Sequence, residues 1–238
     1  MVGSGQSGCQ IAEELQLIGR QVYLAAGSCG WVHRVLGGHD IAWWLRETGF
    51  YERTAEQMRE PPNKFACNPQ ATGKDGGRDL NLHTLANIGV VITGRLLAFV
   101  GHKALIADDL SESVAKSDQF WVKLRQEFEE YVRKGGLPDV EAEESPAPVP
   151  DPHLTVFDLR AHGVRSVIWA SGYRPDFSWI DLPILGSDGY PTHERGVSAC
   201  PGLYFVGLHW LHKPKSALLY GVGEDAEDVV AAFSKRAV

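Results

Sequence analysis

Three observations predict an α/β fold built around a parallel sheet. A glycine-rich turn opens the chain, a helix follows it directly, and short apolar strands recur later, each running into a glycine and a loop or helix. Residues 1–8 read Met1-Val2-Gly3-Ser4-Gly5-Gln6-Ser7-Gly8 and lead into Cys9-Gln10-Ile11-Ala12-Glu13-Glu14-Leu15. This is a strand end, a turn and a helix start. In the G-x-G-x-x-G pattern Gly3 permits the tight turn, Gly5 lets backbone approach a phosphate, and Gly8 lets the helix pack closely on the strand. The helix N-terminus adds unpaired N–H groups and a partial positive charge. Such a turn can hold a dinucleotide pyrophosphate; the alternative is a helix cap with incidental glycines. Only Met1 and Val2 precede the first glycine, so the opening strand is nearly absent.

The 238 residues suffice for one large domain or two small ones. With 44% hydrophobic and 22% charged residues, the composition suits a soluble globular protein. A net charge of -7 argues against a generic nucleic-acid or anionic-membrane surface. No run reaches the length of a membrane span, and no signal peptide precedes the turn, so a cytoplasmic location is expected. Cys9, Cys29, Cys67 and Cys200 lie far apart without ligand spacing and read as reduced thiols. Cys9 sits at a helix N-terminus, which can lower a thiol pKa, but with no resolving cysteine near in sequence it reads as a small packing residue.

After Ile18-Gly19-Arg20 a second strand, Gln21 to Ala26, ends in Gly27-Ser28 without a carboxylate. Folds that prefer NAD place an acidic side chain about 20 residues past the glycines to hold the ribose hydroxyls. Its absence removes a charge that would repel a 2′-phosphate, while Ser28, His33 and Arg34 could bind one. NADPH is therefore favoured over NADH, with Arg34 as an ordinary surface residue the alternative. Gly37 to Gly49 reads as a turn and a short helix carrying Trp43 and Trp44, one ring inside and the other lining a cleft or interface, or both structural. Thr54 to Gly77 reads as a long loop.

Asp79 to Gly89 resembles a helix, and Val90–Gly94, Leu96–Gly101 and Ala104–Ala107 a β-meander inserted beside the parallel sheet. A long helix follows from about Ser111 to Lys134, with Val114, Trp121, Leu124, Phe128, Tyr131 and Val132 at helical spacing and its charged side solvated. Leu137 to Pro152 is rich in Pro and Glu and reads as a linker. The expected division is thus residues 1–136, a linker over 137–153, and residues 154–238. In the last part Leu154–Leu159 and Val164–Trp169 look like strands, and Gly202–Gly207 like a buried strand. A terminal helix carries Ala226, Val229, Val230 and Phe233 on one face. His209, His212, Lys213 and Lys215 cluster before it, to bind phosphate, to protonate an intermediate, or as a solvated loop. Their spacing is not that of a metal site, the histidines show no H-x-x-x-H pair, and no metal is expected.

These pieces in this order resemble the flavin-containing monooxygenase group, and more closely a bacterial flavoprotein group named for potassium transport. Gly3 to Gly8 is similar to the family's second, NADPH-binding glycine motif, and His39 to Leu45 to a stretch just after the ribose site. Ala170-Ser171-Gly172-Tyr173 stands where the family has A-T-G, with Ser171 replacing Thr. Pro201 to Gly207 resembles the C-terminal strand that contacts FAD, and Ser216 to Asp225 the helix that meets the flavin ring. The resemblance implies a Rossmann-like NADPH domain with a β-meander plus the C-terminal part of an FAD domain. Gly3, Ser4, Gly5, Gln6, Ser7 and Gly8 would cradle the NADPH pyrophosphate, with Ser28 and Arg34 near the 2′-phosphate. Ser171 and Gly172 would sit at the junction of the two nucleotides, and Gly207, Ser216, Ala217 and Leu218 would face FAD. Arg174 would be a catalytic or NADPH-contacting cation, or a cap on its own loop.

The family begins with its own FAD-binding βαβ unit upstream, and this sequence shows neither that unit nor the fingerprint between the two motifs. A truncated form is the expectation, explained if a valine codon is read as the start at Met1; an in-frame stop upstream would overturn that origin. The implied activity is an NADPH- and FAD-dependent oxidoreductase or monooxygenase acting on a small molecule, in which the cofactors carry the chemistry. No catalytic residue is assigned, and neither a Ser-His-Asp set nor paired carboxylates stand out. The rival is a non-catalytic NADPH-binding module, sensing NADPH or acting with a partner that supplies the missing FAD unit; a homo-oligomer is the other assembly expected. NADPH-dependent oxygen consumption separates the enzyme from the module. A third reading is a fragment that does not fold stably.

Overall fold

The computed structural model describes residues 1–57, 64–135 and 146–236, so most of the expected linker, and residues 58–63 of the expected long loop, lie outside the described residues. The chain divides into two compact units, Met1–Trp44 with Cys67–Gly172, and Leu45–Ala66 with Tyr173–Val238.

The first unit is organised around Val2. It makes parallel bridges to Ala25 on one side and Trp169 on the other. Helix α1 (Gln6–Leu17) follows the glycine turn and returns the chain to β1 (Tyr23–Ala25). A two-residue hairpin of β2 (Val35–Leu36) and β3 (His39–Asp40) turns on Gly37 and Gly38, both at positive φ, and runs into α2 (Ile41–Glu47). Trp44 packs inside, its Nε1 donating to Leu36 O at 3.0 Å and its ring stacked on Phe128; Trp43 stacks on His39. Helix α3 (Leu82–Asn87) starts at a capping box in which Asn81 and Thr84 satisfy each other's backbone N–H groups.

β4 (Val91–Thr93) then pairs with β1 in parallel, Leu24 opposite Ile92. The expected meander is corrected here. Its first strand joins the parallel sheet, and β5 (Leu96–Val100) and β6 (Lys103–Ile106) are completed by β7 (Val156–Asp158), some fifty residues later in the chain. The chain leaves β4 through Gly94, where an added Cβ would stand 1.9 Å from Ala107 O, so no other residue could make that close turn. The expected strand at 164–169 shrinks to the Trp169 bridge, with Val2 N donating to Ile168 O and Ala170 N to Val2 O.

Helix α4 (Leu110–Gly135) buries Leu110, Ser113, Ser117, Trp121, Leu124, Phe128 and Val132, steps of three and four that keep one stripe inward. One core gathers Cys9 and Ala12 from α1, Leu24 and Ala26 from the β1 region, Leu82 and Leu85 from α3, and Ile92 from β4. Burying side chains such as Leu24 and Leu85 contributes about 1.5–3 kcal/mol each. That core fixes α1, and with it the glycine turn, against the sheet.

The second unit is held by Ile184, Phe205 and Leu211. It contains the hairpin β8 (His193–Glu194) and β9 (Val197–Ser198) and the terminal helix α5 (Val222–Arg236). The expected buried strand at 202–207 is corrected as well. Tyr204 makes a single antiparallel bridge to Val197, Phe205 is buried, and Val206 is 44% exposed. With ladder partners on one side only, its outward face stays open. The apolar stripe of α5 is likewise only partly covered, since Val230 and Phe233 are exposed.

Candidate nucleotide-binding site

The three glycines of the turn occupy three different steric situations. Gly3 has φ +98°, and a Cβ there would meet Ala170 O at 2.5 Å. A Cβ on Gly8 would stand 2.0 Å from Gly3 O, so the helix packs on the strand only because residue 8 has no side chain. Around Gly5 nothing lies within 4 Å of the same added atom. The turn is closed at its first and third glycines and open at its second. That is the arrangement needed where a ligand, and not the protein, is to fill the space above the backbone.

Gly5 is also the N-cap of α1, in extended conformation, with no side chain bonding the first-turn N–H groups. The first turn carries no acidic residue. The positive end of the helix dipole therefore faces outward without a carboxylate to cancel it.

The turn is braced from several directions. Ser4 Oγ accepts from Gly27 N at 2.9 Å and donates to Gly27 O at 3.1 Å, locking the turn to the end of β1. Its hydroxyl is thus used inside the protein, and Ser4 can reach a ligand only through its backbone. Gln70 is completely buried and its Nε2 donates to Ser4 O, while Gln6 Oε1 accepts from Ala71 N at 2.9 Å. Ser171 Cα lies 3.1 Å from the Cβ position of Gly3, which sets Ala170-Ser171 directly against the turn, with Ser171 and Gly172 exposed beside it. Gln70 escaped the sequence reading. It stands 66 residues from Ser4 in a segment without periodicity, and nothing local marks it.

At the end of β1, Ser28 is exposed and no carboxylate follows Ala26. Arg34 Nε donates to Asp40 at 2.6 Å, and His33 Nδ1 lies 2.7 Å from Asp79. Arg34 is accordingly oriented by Asp40 and keeps about a third of its side chain exposed, 38%. Asp118 on α4, expected to be simply solvated, accepts from Trp31 Nε1 at 2.8 Å and contacts His83 Nε2 at 2.9 Å. The hydrogen bond to Asp118 raises the His83 pKa, against the lowering effect of burial. Cys9 is buried, and desolvation, with Glu13 adding to it, pushes its thiol up to about 12. It is a packing residue with an inert thiol.

A cavity of about 700 Å³ opens elsewhere in the first unit, lined by Val2, Tyr23, Phe99, Ile106, Phe157 and Ile168 among others. None of Gly3–Gly8 lines it. Its wall is largely apolar but also carries Arg20, Tyr23, His162 and Arg165, with no carboxylate, whereas a pyrophosphate needs outward N–H groups more than depth. The glycine turn is the stronger candidate.

In the second unit Gly207 has φ +77°, with only Val222 Cγ2 approaching its Cβ position, at 3.9 Å. Ser216 Oγ accepts from His212 N and Lys213 N and is buried, so its hydroxyl is occupied. Ala217 is half-buried, whereas Leu218, Leu219 and Tyr220 stand exposed ahead of α5. The first turn of α5 holds Glu224 and Asp225. Lys213 and Lys215 each pair with both Glu52 and Glu224, and Lys215 is buried. Burial alone would lower the Lys215 pKa; the hydrogen bonds its ammonium donates to the Glu224 and Glu52 carboxylates more than reverse that and raise it. These lysines are a structural ion-pair cage and not a solvated loop. Arg174 stacks over the Phe65 ring at 4.6 Å.

No family model matches the chain. No solved structure matches it. Over 237 residues, 97% of the chain, it is 29% identical to a protein of Geobacillus kaustophilus (strain HTA426) named an uncharacterized oxidoreductase CzcO-like, and it covers 50% of that protein. Over 68 residues, 28% of the chain, it is 52% identical to the uncharacterized oxidoreductase CzcO of Bacillus subtilis (strain 168), covering 20% of it. The corresponding protein of Bacillus velezensis is 48% identical over 68 residues. The chain is homologous to CzcO-like oxidoreductases along nearly its whole length and spans about half the length of the first of these relatives. Among the described residues no helix is long and apolar enough to cross a membrane.

Proposed function

We propose that the chain binds NADPH on the Gly3–Gly8 turn and forms the pyridine-nucleotide half of an NADPH- and FAD-dependent oxidoreductase of the monooxygenase kind. The observation that carries this reading is the turn closed at Gly3 and Gly8 and open at Gly5, before an uncapped helix N-terminus free of carboxylates. In the proposed complex the backbone of Gly5 and the first-turn N–H groups of Gln6, Ser7 and Gly8 take the pyrophosphate. Ser4 and Gln70 hold the turn still. Ser28 and Arg34, with no acidic residue at the end of β1, accept a 2′-phosphate. Ser171 and Gly172, beside Gly3, hold the nicotinamide side.

The FAD side of the proposal rests on the second unit. Leu218, Leu219 and Tyr220 form an exposed apolar strip that fits a flavin ring, and Gly207 leaves room for backbone to approach a ligand. Glu224 and Asp225 in the first turn of α5 oppose extra negative charge there. FAD, when bound, supplies hydride acceptance and oxygen activation. The protein residues bind, orient and exclude water. The FAD-binding βαβ unit is proposed to come from a further segment or a partner chain.

Two measurements on the purified chain test this. NADPH titration by calorimetry is expected to show one site, with NADH weaker; no binding by a chain shown folded by circular dichroism overturns the proposal. Incubation with excess FAD, desalting and visible absorbance then ask whether the chain holds flavin. NADPH bound without flavin retention or turnover would assign it as a nucleotide-binding module.

A further inference from the structure

The four cysteines look scattered in sequence, but the fold brings two of them together. Cys29 follows the end of β1, and Cys67 enters the first unit 38 residues later. Their sulfurs stand 2.7 Å apart, closer than two unbonded sulfurs normally rest. Cys29 is buried, with Sγ directed toward Asn68 O at 3.4 Å and Gly30 O at 3.6 Å. Cys67 is exposed. One thiol is therefore open to a small oxidant in solvent and the other waits behind it, fixed in place and shielded.

We propose that Cys29 and Cys67 form a reversible dithiol–disulfide site oxidised by hydrogen peroxide, with Cys67 the attacked sulfur and Cys29 the resolving one. The Cys67 thiolate attacks one peroxide oxygen, the O–O bond breaks, and the departing hydroxide takes a proton to leave as water. Cys67 is then a sulfenic acid, oxidised by two electrons. Cys29 attacks that sulfur, its S–H proton goes to the departing oxygen, the S–O bond breaks, and a second water leaves. The net change converts two thiols and one peroxide into one disulfide and two waters; a dithiol reductant restores the two thiols by exchange and is itself left as a disulfide. Contact with the Cys29 thiol draws the Cys67 pKa down to about 7, while that same contact, with burial, pushes Cys29 up. The proton resides on the inner sulfur and the nucleophile faces solvent.

The site is connected to the glycine turn. Gln70 and Ala71, three and four residues past Cys67, hold Ser4 O and Gln6 Oε1. A bridge at Cys67 would tie this brace covalently to the end of β1.

The test uses the whole 238-residue chain, reduced and then treated with hydrogen peroxide, and does not depend on nucleotide binding. Intact mass is expected to fall by about 2 Da, the two thiol hydrogens. Free thiols should fall from the four of the sequence to two, and peptide mapping should link Cys29 to Cys67 until dithiothreitol is added. In C29S, dimedone should capture a sulfenic acid on Cys67. A wild-type map in which Cys67 goes on to sulfinic acid unlinked, or in which the bridge joins other cysteines, overturns the proposal. So does a chain whose thiols remain intact at peroxide concentrations that oxidise free cysteine. The wild-type map decides the bridge even where C29S fails to fold.

Discussion

Alanine at Gly5 and alanine at Gly8 add the same methyl group to the same turn, three residues apart, and are expected to fail in different ways. At Gly5 the methyl enters open space on a backbone of φ -73°, which any residue adopts. The weaker N-cap costs roughly 0.5–1 kcal/mol, and the stiffer unfolded chain returns about 0.4–1 kcal/mol. Stability should hardly change. If a pyrophosphate occupies the space over Gly5, the methyl overpacks that contact by about 1–3 kcal/mol, which weakens NADPH binding roughly 5–150-fold. At Gly8 the methyl meets Gly3 O at 2.0 Å, a backbone atom that cannot rotate away. Helix and strand must part, at about 1–3 kcal/mol, lowering the melting temperature by about 2–12 °C. Calorimetric titration with NADPH and a thermal melt on each variant read both effects. A Gly5→Ala chain that binds NADPH like wild type, or melts as early as Gly8→Ala, refutes the assignment of the turn.

Three further outcomes are expected. Arg34→Ala should weaken NADPH by roughly 10-fold or more, the worth of a charged hydrogen bond, and leave NADH unchanged; equal losses for both would remove Arg34 from 2′-phosphate recognition. His83, protonated, donates from Nδ1 to Ala147 O and from Nε2 to Asp118. Its folded pKa is raised, so this stabilisation is complete below the unfolded value of about 6.5 and is lost as pH rises through the folded value. Melting temperatures of wild type should fall over that window and those of Asp118→Asn should stay flatter; parallel profiles would count against the pair. In the second unit, E52Q/E224Q leaves buried Lys215 without either of its half-exposed carboxylates and should cost about 1–3 kcal/mol, whereas Lys215→Met should cost less. Denaturant melts showing the reverse order would mean that the cage is not what holds this region.

The features legible in the sequence were those encoded within a few residues. The glycine turn is one, because steric demands at residues 3, 5 and 8 belong to a single strand–turn–helix unit. Helix α4 is another, since its buried stripe repeats every three or four residues. That Trp43 and Trp44 point in different directions was legible in the same way, but that Trp44 is the buried ring and Trp43 the half-buried one stacked on His39 was not. What tertiary structure alone decided are meetings between distant segments: Val91–Thr93 beside β1 in parallel, Val156–Asp158 closing the meander, Gln70 beneath Ser4, Asp118 against His83, the lysine cage with Glu52, and Cys67 against Cys29. Local propensity specifies that a segment is a strand or a helix, but its partner is chosen by which packing buries the most apolar surface and leaves the fewest polar groups unpaired. Residues such as Gln70 and Cys67, in loops without a period, acquire their roles only when that choice has been made.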